Sequence, residues 1–139
     1  MEDKRKIKEL YNCEYIVSGE KLYPLQKWYN KLIDKTINEI TVADVLRMIR
    51  QKEFVDLAIS KAMEFLEDNV FAGESYDGEL LEKISEIDTS FLSYQSHELK
   101  SILKDAMNKS ETHDWSYDGE SEEFKAIINA VLKKQYNQM

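Results

Sequence analysis

An all-α fold, organised as one domain of about five to seven helices, follows from three observations. Helix breakers are sparse, with one Pro and four Gly in 139 residues. Apolar and polar residues seldom alternate, which argues against half-buried strands. Apolar residues instead recur at i, i+3, i+4 and i+7, the period of a helix with one buried face. A chain of this length buries roughly two-thirds of its unfolded surface and needs no disulfide to hold a core.

The opening segment, residues 1–23, is the least regular. Ile7 and Leu10 fit a short helix. Tyr15-Ile-Val is β-prone, but no second strand is available to pair with it, so it reads as an ordered loop. Pro24 suits the first turn of a helix, where its missing N–H costs nothing. The stripe behind it is Leu25, Trp28, Tyr29, Leu32, Ile33, Ile37 and Ile40. Thr41 with Asp44 forms a capping box, Asp replacing the usual Glu. It opens a helix carrying Val42, Val45, Leu46 and Ile49. Phe54, Leu57, Ala58, Ala62, Phe65 and Leu66 define the next, and residues 68–76 form a loop. A short helix then carries Leu80, Leu81, Ile84 and Ile87. A longer one carries Leu99, Ile102, Leu103, Ala106 and Met107. The last carries Phe124, Ile127, Ile128, Val131, Leu132 and Tyr136.

Charge is unevenly divided. Residues 1–61 hold 12 Lys+Arg against 10 Asp+Glu, a net of +2. Residues 62–139 hold 7 against 17, a net of −10, giving −8 for the chain. A concentrated acidic half is made to meet a positive surface and repels nucleic-acid phosphates. The pentapeptide Ser-Tyr-Asp-Gly-Glu occurs twice in that half, at Ser75–Glu79 and Ser116–Glu120. Each copy precedes a predicted helix. Asp77 and Asp118 are expected to act as N-caps, each stabilising its helix by about 1 kcal/mol. Glu79 and Glu120 then fall in the first helical turn, where the dipole favours negative charge. The flanks of the copies differ, so the bland reading is two capping turns. The functional reading is that the turns also present carboxylates to a partner. Glu74, Tyr76, Asp77 and Glu79 would contribute from the first copy. Tyr117, Asp118, Glu120, Glu122 and Glu123 would contribute from the second. Trp115 joins them as an aromatic anchor, since Trp and Tyr dominate many interfaces. Charge reversal at Glu74, Glu79, Glu120 and Glu122 is expected to leave the fold nearly unchanged.

Signals for chemistry are weak, and no residue is assigned to catalysis, a cofactor or a metal. His97-Glu98 and His113-Asp114 are adjacent pairs, and adjacent residues on a helix do not share a face. The twelve-residue oxygen-rich spacing of a calcium loop is missing. Cys13 is the sole cysteine, with no oxyanion-hole signature, and reads as a small hydrophobe. It also fits a reducing compartment. The N-terminus lacks the apolar core of a signal peptide, and no apolar run approaches the ~20 residues of a membrane helix. A cytoplasmic location is therefore expected, with no membrane, nucleic acid or small-molecule substrate as partner.

Several stretches together carry a resemblance. They are Leu22-Tyr-Pro-Leu-Gln-Lys-Trp-Tyr-Asn-Lys-Leu-Ile-Asp-Lys-Thr-Ile, Ile40-Thr-Val-Ala-Asp-Val-Leu-Arg-Met-Ile-Arg-Gln, Phe71-Ala-Gly-Glu-Ser-Tyr-Asp-Gly-Glu-Leu-Leu and the His113-Asp-Trp region. From about Leu22 to Ile128 the chain resembles the immunity proteins of bacterial contact-dependent growth inhibition (CDI) systems. Val70 departs from that pattern, which has Pro before the Phe. The resemblance implies a protein that binds the toxic C-terminal domain of its cognate inhibitor and blocks it stoichiometrically. Such toxins are often nucleases and hence basic, which agrees with the acidic half. Two other classes stay open. One is a small helical enzyme or metal-dependent hydrolase using His97 or His113 with neighbouring carboxylates. The other is a cytoplasmic adaptor unrelated to toxins.

Overall fold

The computed structural model describes residues 4–17, 21–87 and 96–136. Among them lie seven α-helices and no strand: α1 Ile7–Leu10, α2 Pro24–Ile33, α3 Val42–Gln51, α4 Val55–Asp68, α5 Glu79–Ser85, α6 Ser96–Ser110 and α7 Glu120–Tyr136. A 3₁₀ turn, Ile37–Glu39, separates α2 from α3. α4 is the central element. It packs on α3, α5 and α6, while α7 packs on α5 and α6. Most residues of the stripes meet in one core, with Leu32, Val45, Leu66, Leu80, Leu99 and Ile128 wholly buried, whereas Leu25 and Leu132, at the edges of their stripes, are exposed.

Two of the start signals, Pro24 and the Thr41–Asp44 box, have structural counterparts. Pro24 occupies the first turn of α2. The Thr41 hydroxyl accepts the Asp44 N–H at 3.1 Å, and the Asp44 carboxylate accepts the Thr41 N–H at 3.1 Å. Asp44 does more than cap. It is buried, and it also receives the Lys35 ammonium at 2.5 Å and the Trp28 Nε1–H at 3.2 Å. Burial opposes its charge, but Lys35, the Thr41 N–H and Trp28 outweigh it and hold the carboxyl below its ordinary value. One acidic side chain thus joins α2, the α2–α3 connection and α3.

The stripe through Ile37 and Ile40 predicts a longer α2 than is found. The helix stops at Ile33 because the chain turns to meet the N-terminal segment. The Ile7 N–H donates to the Lys35 carbonyl at 2.9 Å, and Lys6 forms an isolated antiparallel bridge with Thr36. Those backbone groups would otherwise belong to a continuing helix. Ile7 and Leu10 do form the short α1, and Ile7 is wholly buried. Residues 11–17 are an ordered loop, as expected. Ile16 pairs not with a strand but with a side chain: its N–H donates to Asn30 Oδ1 at 2.7 Å, and its carbonyl accepts Asn30 Nδ2 at 3.0 Å. Phe54, at φ 48°, stands in the left-handed region ahead of α4 and packs between Tyr11 and Tyr29. Around Val70 the chain turns on Asn69, whose side chain accepts the Phe71 N–H at 3.0 Å.

The N-terminal segment is also held by Asp34 at the end of α2. Its carboxylate accepts the Tyr15 hydroxyl at 2.8 Å and pairs with Lys8 at 3.1 Å and Lys6 at 3.2 Å. Tyr15 foremost, then Lys8 and Lys6, lower its carboxyl to about 2 from an ordinary 3.8. The folded-state value lies below the unfolded one, so the stabilisation is present above pH ~4 and fades as pH falls toward ~2. Acidification through that window is expected to lower the amide protection factors (exchange corrected for its intrinsic pH dependence) of residues 4–17 in the native chain. Asp34→Asn should show that low protection already at pH 6, with no further acid step in protection. An acid step of native size in Asp34→Asn would refute this assignment.

Candidate functional site

Both copies of Ser-Tyr-Asp-Gly-Glu fold into the same turn, but the residues exchange the roles expected of them. Glycine, not aspartate, stands immediately before each helix. Gly78 has φ 86° and Gly119 φ 94°, left-handed values that suit glycine. Gly78 is the N-cap of α5, and no side-chain cap bond accompanies it. Asp77 therefore does not cap. It lies one residue early, and its carboxylate pairs with His113 Nε2 at 2.8 Å. Asp118 is likewise displaced by Gly119 from the residue before α7, and it is exposed.

The turn is closed by its glutamate instead. Glu79 Oε1 accepts the N–H groups of Glu74 at 2.8 Å and Ser75 at 2.9 Å. Glu120 Oε1 accepts the Ser116 N–H at 2.7 Å. These charge-assisted bonds let both carboxylates sit at only 7% and 9% exposure. The expectation that Glu79 and Glu120 tolerate charge reversal is thereby overturned: they are buried parts of the fold. Each tyrosine reaches forward six residues. The Tyr76 hydroxyl donates to Glu82, and the Tyr117 hydroxyl donates to Glu123 Oε2 at 2.5 Å. The bond to Glu123 pushes the Tyr117 hydroxyl up to about 12, and burial followed by the Glu82 bond raises that of Tyr76. Both phenols are therefore donors at neutral pH.

The two turns are brought together by α5 packing on α7. The approach is close at Gly78, where an added Cβ would lie 2.7 Å from Phe124 Cδ1. Phe124 is buried and joins an aromatic cluster, 5.2 Å from Phe71 and 5.3 Å from Trp115 between ring centroids. His113 stacks on Phe71 at 3.9 Å and meets Trp115 edge-on at 4.4 Å. The Trp115 Nε1–H donates to the Ser110 carbonyl at 3.0 Å. Trp115 is thus partly a core residue and partly a wall.

That wall belongs to a groove of about 660 Å³ between the turns. Tyr76, Asp77 and Glu82 line one side, and Trp115, Tyr117, Glu120, Glu123, Phe124, Ala126 and Ile127 the rest. Six of the residues singled out in the sequence therefore meet here: Tyr76, Asp77, Trp115, Tyr117, Glu120 and Glu123. Glu74, Asp118 and Glu122 are exposed outside it, and Glu79 lies buried beneath its turn. Glu82 was missed, although the repeat signals it. The shared pattern is Ser-Tyr-Asp-Gly-Glu-x-x-Glu, ending at Glu82 and Glu123. Phe124, Ala126 and Ile127 gave no signal apart from helical spacing.

A larger groove of about 760 Å³ lies among α3, α4 and α5. Its charged lining is Arg50, Lys52, Lys83 and Glu86, the wrong balance for a cationic partner. Among the described residues no cluster of three or more His, Cys, Asp or Glu could hold a metal, and no helix is long and apolar enough to cross a membrane. His97 is exposed at the start of α6, and Cys13 is half-buried beside Tyr29.

Two measurements test the turn. Gly78→Ala adds a clash with Phe124 to a left-handed strain of about 1–2 kcal/mol, whereas the Cβ of Gly119→Ala meets open space. The expected loss on denaturant unfolding is about 1–2 kcal/mol for Gly119→Ala and at least about 1 kcal/mol more for Gly78→Ala. Equal losses would contradict the close approach. Glu79→Lys should cost about 3 kcal/mol or more, since it strands two N–H groups and buries a cation. Glu74→Lys and Glu122→Lys should stay within about ±0.5 kcal/mol. A Glu79→Lys chain of native stability would refute the closing role.

Comparison with known families gives one match: a family model described as CDI immunity proteins fits residues 9–102. The matched segment runs from α1 into α6 and contains the first turn; the second, at Ser116–Glu120, lies beyond it. No curated protein matches the chain. The match spans more than half of the sequence, and the chain belongs to the CDI immunity protein family.

Proposed function

We propose that this chain neutralises the C-terminal toxin domain of its cognate CDI protein by binding it one-to-one, and that this toxin is a basic nuclease acting in the cytoplasm. The observation that carries the reading is the paired-turn surface. Asp77, Asp118, Glu122 and Glu123 are exposed around a concave site whose ten lining residues include no Lys or Arg. A nuclease domain must hold phosphates, so its binding surface is cationic. Carboxylates presented here occupy that surface in place of nucleic acid, and the bulk of the domain covers what lies beneath. The same charge steers encounter and rejects partners of the wrong sign. No catalytic step is required of the chain itself, and the purified protein is expected to lack nuclease or hydrolase activity.

Co-expression is expected to rescue cells from the cognate toxin and not from toxins of unrelated type. Protection against several unrelated toxins would contradict a direct block. The electrostatic part is tested by reversing four exposed carboxylates, Glu74→Lys, Asp118→Lys, Glu122→Lys and Glu123→Lys, in one chain. Association with the toxin domain, followed by stopped flow, should slow by about 10-fold or more at low salt and lose most of its salt dependence. Native association kinetics in a variant that melts like the native chain would remove the acidic face from the mechanism.

A further inference from the structure

We propose that the groove between the two turns seats an arginine side chain of the toxin, held between Glu82 and Glu123. This rests on the toxin-binding reading above and assigns it a chemical contact. Asp77 is met by His113, whereas Glu82 and Glu123 are met, among the described residues, by phenol hydroxyls. A carboxylate offers about four acceptor positions, and each tyrosine uses one. Each tyrosine bond restrains its glutamate, and both acceptors line the same groove.

Glu120 adds a further carboxylate to the groove lining. It lines the groove at 9% exposure, and one of its oxygens accepts the Ser116 N–H. Among the described residues nothing donates to its second oxygen. Its charge adds to the negative field of the groove, which favours a cation.

The walls choose among cations. Tyr76 and Tyr117 stand at the rim, 42% and 55% exposed, and Trp115 lies deeper. A guanidinium is planar, stacks on aromatic faces and reaches two carboxylates with one rigid fork of donors. An ammonium is more strongly hydrated and loses more on entering an aromatic slot. The site therefore fits arginine better than lysine.

The test is calorimetric titration of the native chain and of Glu82→Gln/Glu123→Gln with the toxin domain encoded beside it. Glutamine keeps the tyrosine bonds and removes both charges. The double variant is expected to bind at least about 100-fold more weakly while melting like the native chain. Asp56→Asn/Glu98→Gln removes two exposed charges outside the groove and should change affinity less than about 3-fold. An Arg→Lys scan of the toxin should find one position that weakens native binding and adds nothing against the double variant. Equal losses in the two double variants, native affinity in Glu82→Gln/Glu123→Gln, or no coupled arginine would overturn the seat. Failure of the native chain to bind that domain would instead overturn the toxin-binding reading itself.

Discussion

The close approach of the Gly78 backbone to the Phe124 ring is the constraint on which the candidate site depends. It lets α5 and α7 pack with their N-terminal turns side by side, so that two separate stretches of sequence become opposite walls of one groove. A side chain at position 78 would meet the ring at once, and the left-handed φ there already favours glycine. Phe71, Trp115 and His113 complete the arrangement by packing around Phe124 and carrying the loop before α7 onto the loop before α5. The His113–Asp77 pair is the polar end of the same junction.

Within each turn the carboxylates divide between structure and surface. Glu79 and Glu120 are buried against backbone N–H groups, where the fold needs them. Glu82 and Glu123, one helical turn further on, are tied among the described residues to tyrosine hydroxyls and line the groove. Repetition therefore has a physical use. The same short pattern builds the same local geometry twice, and packing sets the two copies against each other with like charge on both walls. Like charges on facing walls repel, which weakens the free protein slightly and favours a partner that supplies the cation.

The first half of the chain plays a different part. Its positive and negative charges nearly balance, and two of its carboxylates are paired within it: Asp34 with Lys6 and Lys8, and Asp44 with Lys35. Asp44 links α2 to α3, and Asn30 and Asp34 tie the N-terminal segment to α2. This half is a near-neutral scaffold against which α5, α6 and α7 are positioned. The family match falls mainly on this scaffold and on the first turn, which explains how membership is recognisable while the second wall of the groove lies outside the matched residues.

Much of the architecture was decided by the sequence alone. Helical period, one Pro and few Gly determined an all-α chain, and the Thr41–Asp44 box and Pro24 located two helix starts, because these are interactions among residues close in sequence. The concentration of negative charge after residue 61 was equally legible. The end of α2 was not, because Lys35 and Thr36 give their backbone groups to Ile7 and Lys6, far away in the chain. The roles inside the repeated turn were not legible either. Asp before a helix is a sound capping signal, but the glycine that follows it takes the cap position, and Glu79 and Glu120 close the turn from inside. Only tertiary packing decided that the two copies face each other, since nothing local to either encodes the place of the other. That is why Asp77, Trp115, Tyr117 and Glu123 could be named from sequence as separate candidates, while their union with Glu82 in one groove required α5 to rest on α7.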